Sequence, residues 1–422
     1  MTQILFWNLM NFSIKRIQGT TKANAPLAAQ SLQNILSAVQ GNAPADIFAL
    51  IELPPGPGGV KAQGNLIKKG SSSQGVITLM SDLNKAAGGK TNPWKIVPPV
   101  VTGTGGKAEG LAVFYRSDKL KFVGPWKHTG ILGGATQFPG VNPSTPYPKP
   151  WDNCLPAGTT QGGQWEYKDS IGKIIEYPQA GERRPWRVQF QDNNKNEFDI
   201  FAFHAPFGKT VTIRRTAALS LSKTPDIIGP MTGLSYPAKL NYARILGGDF
   251  NLDANAPQDL NALNYLTLPP NGPFTGEFLT FIKGAGYYKT SIRANKYALI
   301  TKGNYPFYEY AASAYDQIFT MRQNNILPIL TVSGQMVVNQ VIGADALHAG
   351  PLPPKGGAYG LQTTLPGAGT AANVSYPCRM ANDIASIYSN WPGKKDACFR
   401  NINNYGHIRR TSDHMGVVID VS

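Results

Sequence analysis

The sequence predicts an α/β domain built from layered sheets and helices. Short apolar segments recur along the chain, and most are nearly continuous in apolar residues, which is typical of strands covered by another layer. A segment with helical spacing lies between the first two. At 422 residues with 42% hydrophobic residues, the chain can bury a large core and is expected to fold as a globular protein.

Seven segments are predicted to be strands. In chain order they are QILFWNL, DIFALIEL, GLAVFYR, FDIFAFHA, RILGGDFN, YDQIFTM and HMGVVIDV. The helix between the first two is predicted from apolar residues at positions 27, 32, 35, 36 and 39, with Gly41 as its stop. A strand, a helix and a second strand at the start of the chain favour an α/β layered domain.

Stretches rich in Gly, Pro and Ser interrupt the strands at 54–75, 125–185 and 348–376. Because strand segments resume after each one, we interpret them as surface loops on one core. The expected organisation is a single domain over 1–422, with insertions at about 125–180 and 323–405.

Charge points to a polyanionic partner. Forty Lys and Arg residues against 25 Asp and Glu give a formal charge of +15, which favours nucleic acid or an anionic membrane surface. A basic surface kept for solubility is the alternative. No apolar run is long enough for a bilayer, and the first residues lack the features of a signal peptide. The expected location is the cytoplasm, or outside the cell by a non-classical route.

Cysteine usage excludes a disulfide framework, since only Cys154, Cys378 and Cys398 occur. Two alternatives stay open: a disulfide between Cys378 and Cys398, or three free thiols. The spacing of Cys and His does not match a structural zinc site.

Polar residues recur at or near the ends of the predicted strands. They are Asn8, Glu52, Glu109, His204, Asp249, Asn251, Asp316, Asp413 and His414. Any one of them alone is best explained as a turn, cap or structural residue. Their recurrence predicts a site shared by several strands.

The residue types match the needs of phosphodiester hydrolysis. Glu52 with Asp249 or Asp413 can hold a hard divalent cation, which prefers carboxylate oxygens. The expected ion is Mg²⁺, with Mn²⁺ or Ca²⁺ as alternatives. In ILGGDFNLD the two glycines are expected to make room for a phosphate beside Asp249 and Asn251.

Two histidines can act as base and acid if neighbouring groups fix their orientation. Glu109 and Asp316 are the candidate orienting carboxylates. Asn8 and Asn251 can donate hydrogen bonds to phosphate oxygens without adding charge.

The motifs resemble those of the endonuclease/exonuclease/phosphatase superfamily, and within it the deoxyribonuclease I-like subgroup. They are WNL at 7–9, LIEL at 50–53, EGLAVFYR at 109–116, FHAP at 203–206, GGDFN at 247–251, YDQIF at 315–319 and SDHMGV at 412–417. The resemblance implies a four-layered α/β sandwich, in which two packed mixed β-sheets are flanked by helices. The long loops are then insertions in that fold.

The resemblance also implies roles for individual residues. His414, oriented by Asp316, would be the base, and His204, oriented by Glu109, would be the acid. Glu52 would bind the metal with Asp249 and Asp413. Asn251, with Asp249, would position nucleophile and phosphate, while Asn8 and Arg183 would contact the phosphate. Arg184 and Arg187 are rivals of Arg183 within ERRPWRVQF.

The function expected from this resemblance is a sequence-tolerant DNA endonuclease acting on double-stranded DNA. A toxin role, with an inhibitor or immunity protein as partner, is one biological setting. The alternatives are a sphingomyelinase- or phosphoinositide-phosphatase-like enzyme, for which the aromatic run at 304–315 could meet a membrane, and a non-catalytic binding protein. One departure is that no arginine follows Glu52 closely, although deoxyribonuclease-like members often have one there.

Overall fold

The structure is a computed structural model of the 422-residue chain. It describes residues 1–21, 25–40, 44–56, 63–89, 91, 93–124, 135–137, 147, 149–154, 165–169, 171–207, 210–228, 242–267, 279–282, 291, 298–302, 305–309, 313–321, 336–337, 361–364, 373–376, 411–414 and 416–421.

The described residues form eighteen strands, six α-helices and one 3₁₀ turn. The strands are β1 (Thr2–Asn8), β2 (Ile47–Leu53), β3 (Trp94–Thr102), β4 (Glu109–Arg116), β5 (Leu120–Gly124), β6 (Ala135–Gln137), β7 (Trp165–Tyr167), β8 (Trp186–Asp192), β9 (Glu197–His204), β10 (Tyr242–Asp249), β11 (Leu279–Ile282), β12 (Ala298–Lys302), β13 (Tyr305–Glu309), β14 (Asp316–Met321), β15 (Met336–Val337), β16 (Leu361–Thr364), β17 (Asn373–Tyr376) and β18 (Val417–Val421). The helices are α1 (Ile14–Gln18), α2 (Ala25–Gln40), α3 (Ser71–Ala86), α4 (Val211–Leu221), α5 (Pro225–Ile228) and α6 (Pro257–Asn264), and the 3₁₀ turn is Gly105–Lys107.

Two mixed six-stranded sheets form the centre of the fold, with strand orders β15-β18-β1-β2-β4-β3 and β11-β14-β10-β9-β8-β5. Buried side chains from both sheets, such as Phe6 and Ile245, belong to one core cluster, which also includes residues of α2 and α3. A second cluster joins the second sheet, β11-β14-β10-β9-β8-β5, to α4 and α6 through residues such as Leu221 and Leu263. The arrangement is helices, sheet, sheet, helices, so the predicted four-layered α/β sandwich is confirmed.

Strand directions gather the polar ends of the first sheet at one edge. Strands β1 and β2 are parallel, so Asn8 and Glu52 end at that edge together. Strands β4 and β18 are antiparallel to their neighbours, so Glu109 and the residues just before β18 lie at the same edge.

The second sheet brings its polar ends together in the same way. Parallel β9 and β10 pair His204 with Asp249 in register. Antiparallel β14 places Asp316 directly across from Asp249 on the other side. Three neighbouring strands therefore deliver three of the predicted site residues to adjacent positions.

All seven predicted strands are present, as β1, β2, β4, β9, β10, β14 and β18, and α2 confirms the predicted helix. Strand β3 was not predicted because its sequence, WKIVPPVVT, contains two prolines, which argue against a strand. It lies at the edge of its sheet, and its pairing shifts register between Val97 and Val100, across the prolines. An edge strand with a bulge tolerates the missing N–H groups.

Part of the predicted insertion at 125–180 is not a surface loop. Trp151 is fully buried in the core, and its indole N–H donates to the Ile67 carbonyl at 3.1 Å. The Cys154 carbonyl accepts from Ile96 N at 3.1 Å, so this segment covers the exposed edge of β3. A large aromatic ring that fills a gap at a sheet edge is a tertiary contact that local composition does not reveal.

Other expectations about the chain fall partly outside the described residues. Cys378 and Cys398 and most of the predicted insertion at 323–405 lie there. Cys154 is a buried free thiol, and burial raises its pKa to about 11. Within the part of the chain that the structure describes, no helix is long and apolar enough to cross a membrane.

Candidate active site

Asp249, at the end of β10, is the centre of the polar cluster. Its side chain is 1% exposed. Its Oδ2 atom lies 3.5 Å from His204 Nε2 and 3.5 Å from His414 Nε2. Hydrogen bonds of good geometry are usually shorter than 3.2 Å, so neither imidazole N–H is held tightly by this oxygen. The two rings thus point at one position from two directions.

The first histidine–carboxylate pair joins His414 to Asp316. His414 Nδ1 lies 2.7 Å from Asp316 Oδ2, and both side chains are buried. His414 precedes β18 of the first sheet, whereas Asp316 begins β14 of the second. The pair therefore bridges the two sheets.

Backbone contacts fix the loop that carries His414. The Trp7 indole N–H donates to the His414 carbonyl at 2.8 Å, and His414 N donates to the Ser412 hydroxyl at 3.0 Å. Ser412 in turn donates to the carbonyl of Asn8. Farther along, the Asn34 amide of α2 reaches Thr411 Oγ1 at 2.9 Å. These contacts attach the residues at 411–414 to β1 and α2.

The second pair joins His204 to Glu109 in the opposite sense. His204 ends β9 of the second sheet, and Glu109 begins β4 of the first. His204 Nδ1 lies 2.5 Å from Glu109 Oε2. The other carboxylate oxygen, Oε1, forms an ion pair with Arg183. Both predicted dyads are present, and each takes one residue from each sheet.

Asn8 connects the carboxylates of the cluster. Its Nδ2 donates to Asp249 Oδ2 at 3.0 Å, and its side chain also hydrogen-bonds Glu52. Its Oδ1 accepts from Met10 N at 2.9 Å. The Asn8 side chain therefore lies between Asp249 and Glu52 and forms hydrogen bonds with both carboxylates. Its predicted contact with phosphate stays a prediction.

Glu52 reaches the cluster through a β-bulge. The pairing of β2 with β4 shifts register between Ile51 and Leu53, which leaves Glu52 as the extra residue. Its φ is +70°, a left-handed conformation that is unfavourable for residues other than glycine. Bulges of this kind redirect a side chain beside a functional site.

Asn251 also has a left-handed backbone, with φ of +50°. Its backbone N–H donates to Asp249 Oδ1 at 2.8 Å, and its Nδ2 donates to the Ala205 carbonyl at 3.3 Å. The tight turn after β10 thereby orients the Asp249 carboxylate.

The glycines before Asp249 do not make room for a phosphate, and that expectation is wrong. A Cβ on Gly247 would lie 2.6 Å from the Phe6 ring of the opposite sheet. A Cβ on Gly248, whose φ is +143°, would lie 1.9 Å from the Phe203 carbonyl oxygen of the neighbouring strand. The glycines instead allow the two sheets and two strands to approach closely behind the site.

Electrostatics raise the pKa of both histidines. Burial alone lowers the pKa of His414, but Asp316, Asp249 and Asp413 outweigh it and hold the pKa well above its usual value. Burial likewise lowers the pKa of His204, while Glu109 and, more weakly, Asp249 raise it to a net value above the usual one. Arg183 opposes that rise.

The acidic residues respond to the same environment. Burial pushes the pKa of Asp249 upward, but the two nearby histidines and the donors Asn251 and Asn8 bring it below its usual value. Burial raises the pKa of Glu52, and the negative charges of Glu109 and Asp413 add to that rise. Asp249 is thus a stable anion, whereas Glu52 lacks enough positive charge around it.

A divalent cation fits the oxygen-rich side of the cluster. Glu52 is partly buried among like charges, and a cation beside it would remove the repulsion that raises its pKa. Asp249, Asp316 and His414 also bring ligand atoms within 4.8 Å of one another. In that second group, however, the 2.7 Å hydrogen bond between His414 and Asp316 already accounts for the proximity. Carboxylates, with no thiolate, are the donor set that Mg²⁺ prefers.

Arg183 is the predicted residue whose surroundings differ most from expectation. It is 7% exposed, and its guanidinium faces Glu109 and two backbone carbonyls. The rival Arg187 lies elsewhere, in a buried ion pair with Asp199 at 2.7–2.8 Å. Arg184 is also buried, with Glu176 3.7 Å away.

Sequence reasoning missed several residues that shape the site. Ser412 holds the His414 loop, and the Ala205 carbonyl accepts from both Arg183 and Asn251. The Tyr315 ring lies 6.3 Å from the His414 ring. FHAP and YDQIF contain two of these residues, but a carbonyl acceptor and a ring contact leave no signal in a single sequence.

Comparisons with known proteins give structural likenesses only. Neither the protein-family models nor the curated proteins contain a match. A mannosyl-6-phosphatase from Bacteroides thetaiotaomicron VPI-5482 is 15% identical, with 100% of both chains covered and a TM-score of 0.41. D. rerio TDP2 in complex with a single-strand DNA product is 11% identical, with 99% of this chain and 98% of that chain covered and a TM-score of 0.41.

A third similar structure is an endonuclease/exonuclease/phosphatase family protein from Bacteroides thetaiotaomicron. It is 14% identical, the match covers 100% of this chain and 97% of that chain, and the TM-score is 0.39. Likenesses at this level assign neither an activity nor a substrate to the present chain.

Proposed function

We propose that the protein is a divalent-metal-dependent phosphodiesterase of the endonuclease/exonuclease/phosphatase type, with DNA as its substrate. The observation that carries the proposal is the convergence of two buried histidine–carboxylate pairs, with both Nε2 atoms 3.5 Å from Asp249 Oδ2. A hydrolase that must take a proton from water and give one to a leaving oxygen needs two such groups on opposite sides of one reacting centre.

In the proposed mechanism His414 is the base. Asp316 holds its Nδ1, which directs Nε2 toward the centre, where it takes a proton from water. Asp249 stays ionised and helps to align that water. The resulting hydroxide attacks phosphorus in line with the leaving oxygen.

His204 is the acid in this mechanism. Glu109 holds its Nδ1, which directs Nε2 toward the leaving 3′-oxygen, so the protonated ring can donate to that oxygen. Glu52, with Asp249 and Asp413, would hold the divalent ion, which supplies charge stabilisation to the phosphate oxygens. Asn251 is the neutral donor proposed beside the phosphate.

Charge supports DNA over a lipid substrate. The chain carries a formal charge of +15, and nucleic acid is the polyanion that such an excess attracts most generally. The lipid alternative drew on the aromatic run at 304–315. The described side chains at its end do not support a membrane contact, since Ala314 is buried and Tyr315 lies beside His414.

A non-catalytic binding protein is the weaker alternative. Both dyads, Asp249 and the acidic group around Glu52 are retained, and two residues keep a left-handed backbone there. Strain of this kind is maintained where a site requires it.

The test is a side-by-side assay of supercoiled DNA, RNA, a phosphomonoester and phospholipid vesicles with Mg²⁺, Mn²⁺, Ca²⁺ or a chelator. We expect nicking of DNA that requires a divalent ion and that the chelator abolishes. Hydrolysis confined to lipid or monoester would contradict the DNA assignment. If no substrate is hydrolysed under any metal condition, the enzymatic proposal itself fails.

A further inference from the structure

Arg183 lies against the Glu109 carboxylate on the side opposite His204. Glu109 divides its two oxygens, since Oε2 contacts His204 Nδ1 at 2.5 Å and Oε1 pairs with Arg183 Nη2. The arginine is thus in line with the dyad, one residue farther from the reacting centre. Among the described residues, the guanidinium contacts Glu109 and the carbonyls of Lys107 and Ala205.

Two backbone carbonyls fix the guanidinium in place. Nε donates to Lys107 O at 3.1 Å, and Nη1 donates to Ala205 O at 2.9 Å. Lys107 comes just before Glu109, and Ala205 comes just after His204, so Arg183 ties together the chain segments that carry both members of the dyad. A Cβ on Gly103 would lie 3.2 Å from Arg183 Cγ, which shows how closely the alkyl stem is packed.

We propose that Arg183 is a positioning residue that acts on His204 through Glu109, and that this is its main contribution to turnover. The inference rests on the proposed phosphodiesterase function and revises the phosphate contact expected from the sequence. A rigid guanidinium fork holds a carboxylate in one orientation better than a flexible ammonium does. With Glu109 fixed, the His204 ring presents Nε2 to the leaving group at a constant angle.

Leaving-group chemistry separates the two roles of Arg183. An acid catalyst matters when the departing oxygen is strongly basic, whereas a weakly basic nitrophenolate departs without a proton. Loss of positioning should therefore slow a poor leaving group selectively. Loss of a phosphate contact would slow all diesters alike, because the phosphate is common to them.

The experiment measures kcat and KM with Mg²⁺ on methyl phenyl phosphate and on methyl p-nitrophenyl phosphate. We expect Arg183→Ala to lose about five- to tenfold in kcat on the phenyl ester and less than about twofold on the nitrophenyl ester, which is a part of the about 10²- to 10⁴-fold that general acid catalysis supplies. His204→Ala should show the same selectivity with a larger loss. Arg116→Ala is the matched control, because Arg116 pairs with Asp118 at the far end of the same strand, β4, and should not change either rate.

A double variant tests whether Arg183 acts through Glu109. Adding Arg183→Ala to Glu109→Gln should lower kcat on the phenyl ester by less than about a further twofold, since the carboxylate that the arginine holds has already been replaced by a neutral amide. Arg183→Lys supplies the comparison if the alanine variant does not fold. It should show the same selectivity with a smaller loss of about two- to threefold, because an ammonium can pair with Glu109 but cannot reproduce the fork.

Equal losses on both esters with a raised KM would overturn the inference and return Arg183 to the phosphate. Full additivity in the double variant would overturn it as well. A general loss of stability would lower both rates equally and would appear as a shifted melting temperature. If the parent protein hydrolyses neither these esters nor supercoiled DNA with any divalent ion, the proposed function fails, not the assignment of Arg183.

Discussion

The two histidine–carboxylate pairs share one plan but are built in opposite senses. In one, the histidine comes from the first sheet and Asp316 from the second; in the other, the histidine comes from the second sheet and Glu109 from the first. The environments differ too, since Asp316 is 1% exposed while the Glu109 side chain is 15% exposed and is shared with Arg183.

The difference teaches how one fold can tune two similar groups for two tasks. The pKa of His414 is raised well above its usual value by nearby carboxylates. The pKa of His204 is raised as well, but Arg183 limits the rise. The two histidines therefore titrate differently because Arg183 lies beside only one of the two carboxylates.

The largest expected effect comes from removing the proposed base. His414→Ala should lower kcat/KM about 10³-fold on methyl phenyl and methyl p-nitrophenyl phosphate alike, because water must be activated whatever leaves. His204→Ala should spare the nitrophenyl ester. The measurement is steady-state kinetics on both esters, with folding checked by circular dichroism. If His414→Ala were the variant that spared the nitrophenyl ester, the two roles would be reversed.

Replacing Asp316, which orients the proposed base, should slow the reaction more than replacing Glu109, which orients the proposed acid. Asp316→Asn is expected to lower kcat about 10²-fold on the nitrophenyl ester. Glu109→Gln is expected to lower kcat about 10-fold on the phenyl ester. In both variants the amide fixes the wrong tautomer of its histidine. Glu109 has the smaller effect because Arg183 and the Lys107 carbonyl keep the surrounding loop in place. Equal losses from the two changes would show that the two environments are functionally equivalent.

The pH dependence follows from the direction of the pKa shifts. A base must be unprotonated, so the raised pKa of His414 moves the rising limb of kcat/KM above the usual histidine value of about 6.5. On the nitrophenyl ester this limb should appear alone, while the phenyl ester, which also requires the proton of His204, should show a bell-shaped profile. Asp316→Asn should move the rising limb to lower pH. A rising limb unmoved by that change would contradict the assignment.

The smallest effect concerns stability without metal. A histidine with a raised folded-state pKa stabilises the protein below the unfolded value of about 6.5, and that stabilisation is lost as the pH rises through the folded-state pKa. The free energy of unfolding in chelator should therefore fall with pH over this window. Urea denaturation should show a weaker dependence in His414→Gln than in His204→Gln, because the pKa of His414 is raised more.

Local sequence predicted the strands and the residue types at their ends. The apolar runs are strong signals, and polar residues that follow or precede them, such as Asn8 and His204, can only lie at strand ends. The edge strand β3 was missed because its two prolines argue against a strand, whereas the bulge of this edge strand tolerates them. The buried Trp151 was missed because its cavity is formed by distant segments.

Sequence alone determined which chemical groups reach the site, because alternation along a strand and the position of each polar residue are local properties. Tertiary structure decided their partners. It paired each histidine with a carboxylate of the other sheet, used Gly247 and Gly248 to bring the sheets and strands close, and placed Arg183 against Glu109. These contacts join residues far apart in the chain, and their energies depend on packing across two sheets that no short stretch encodes.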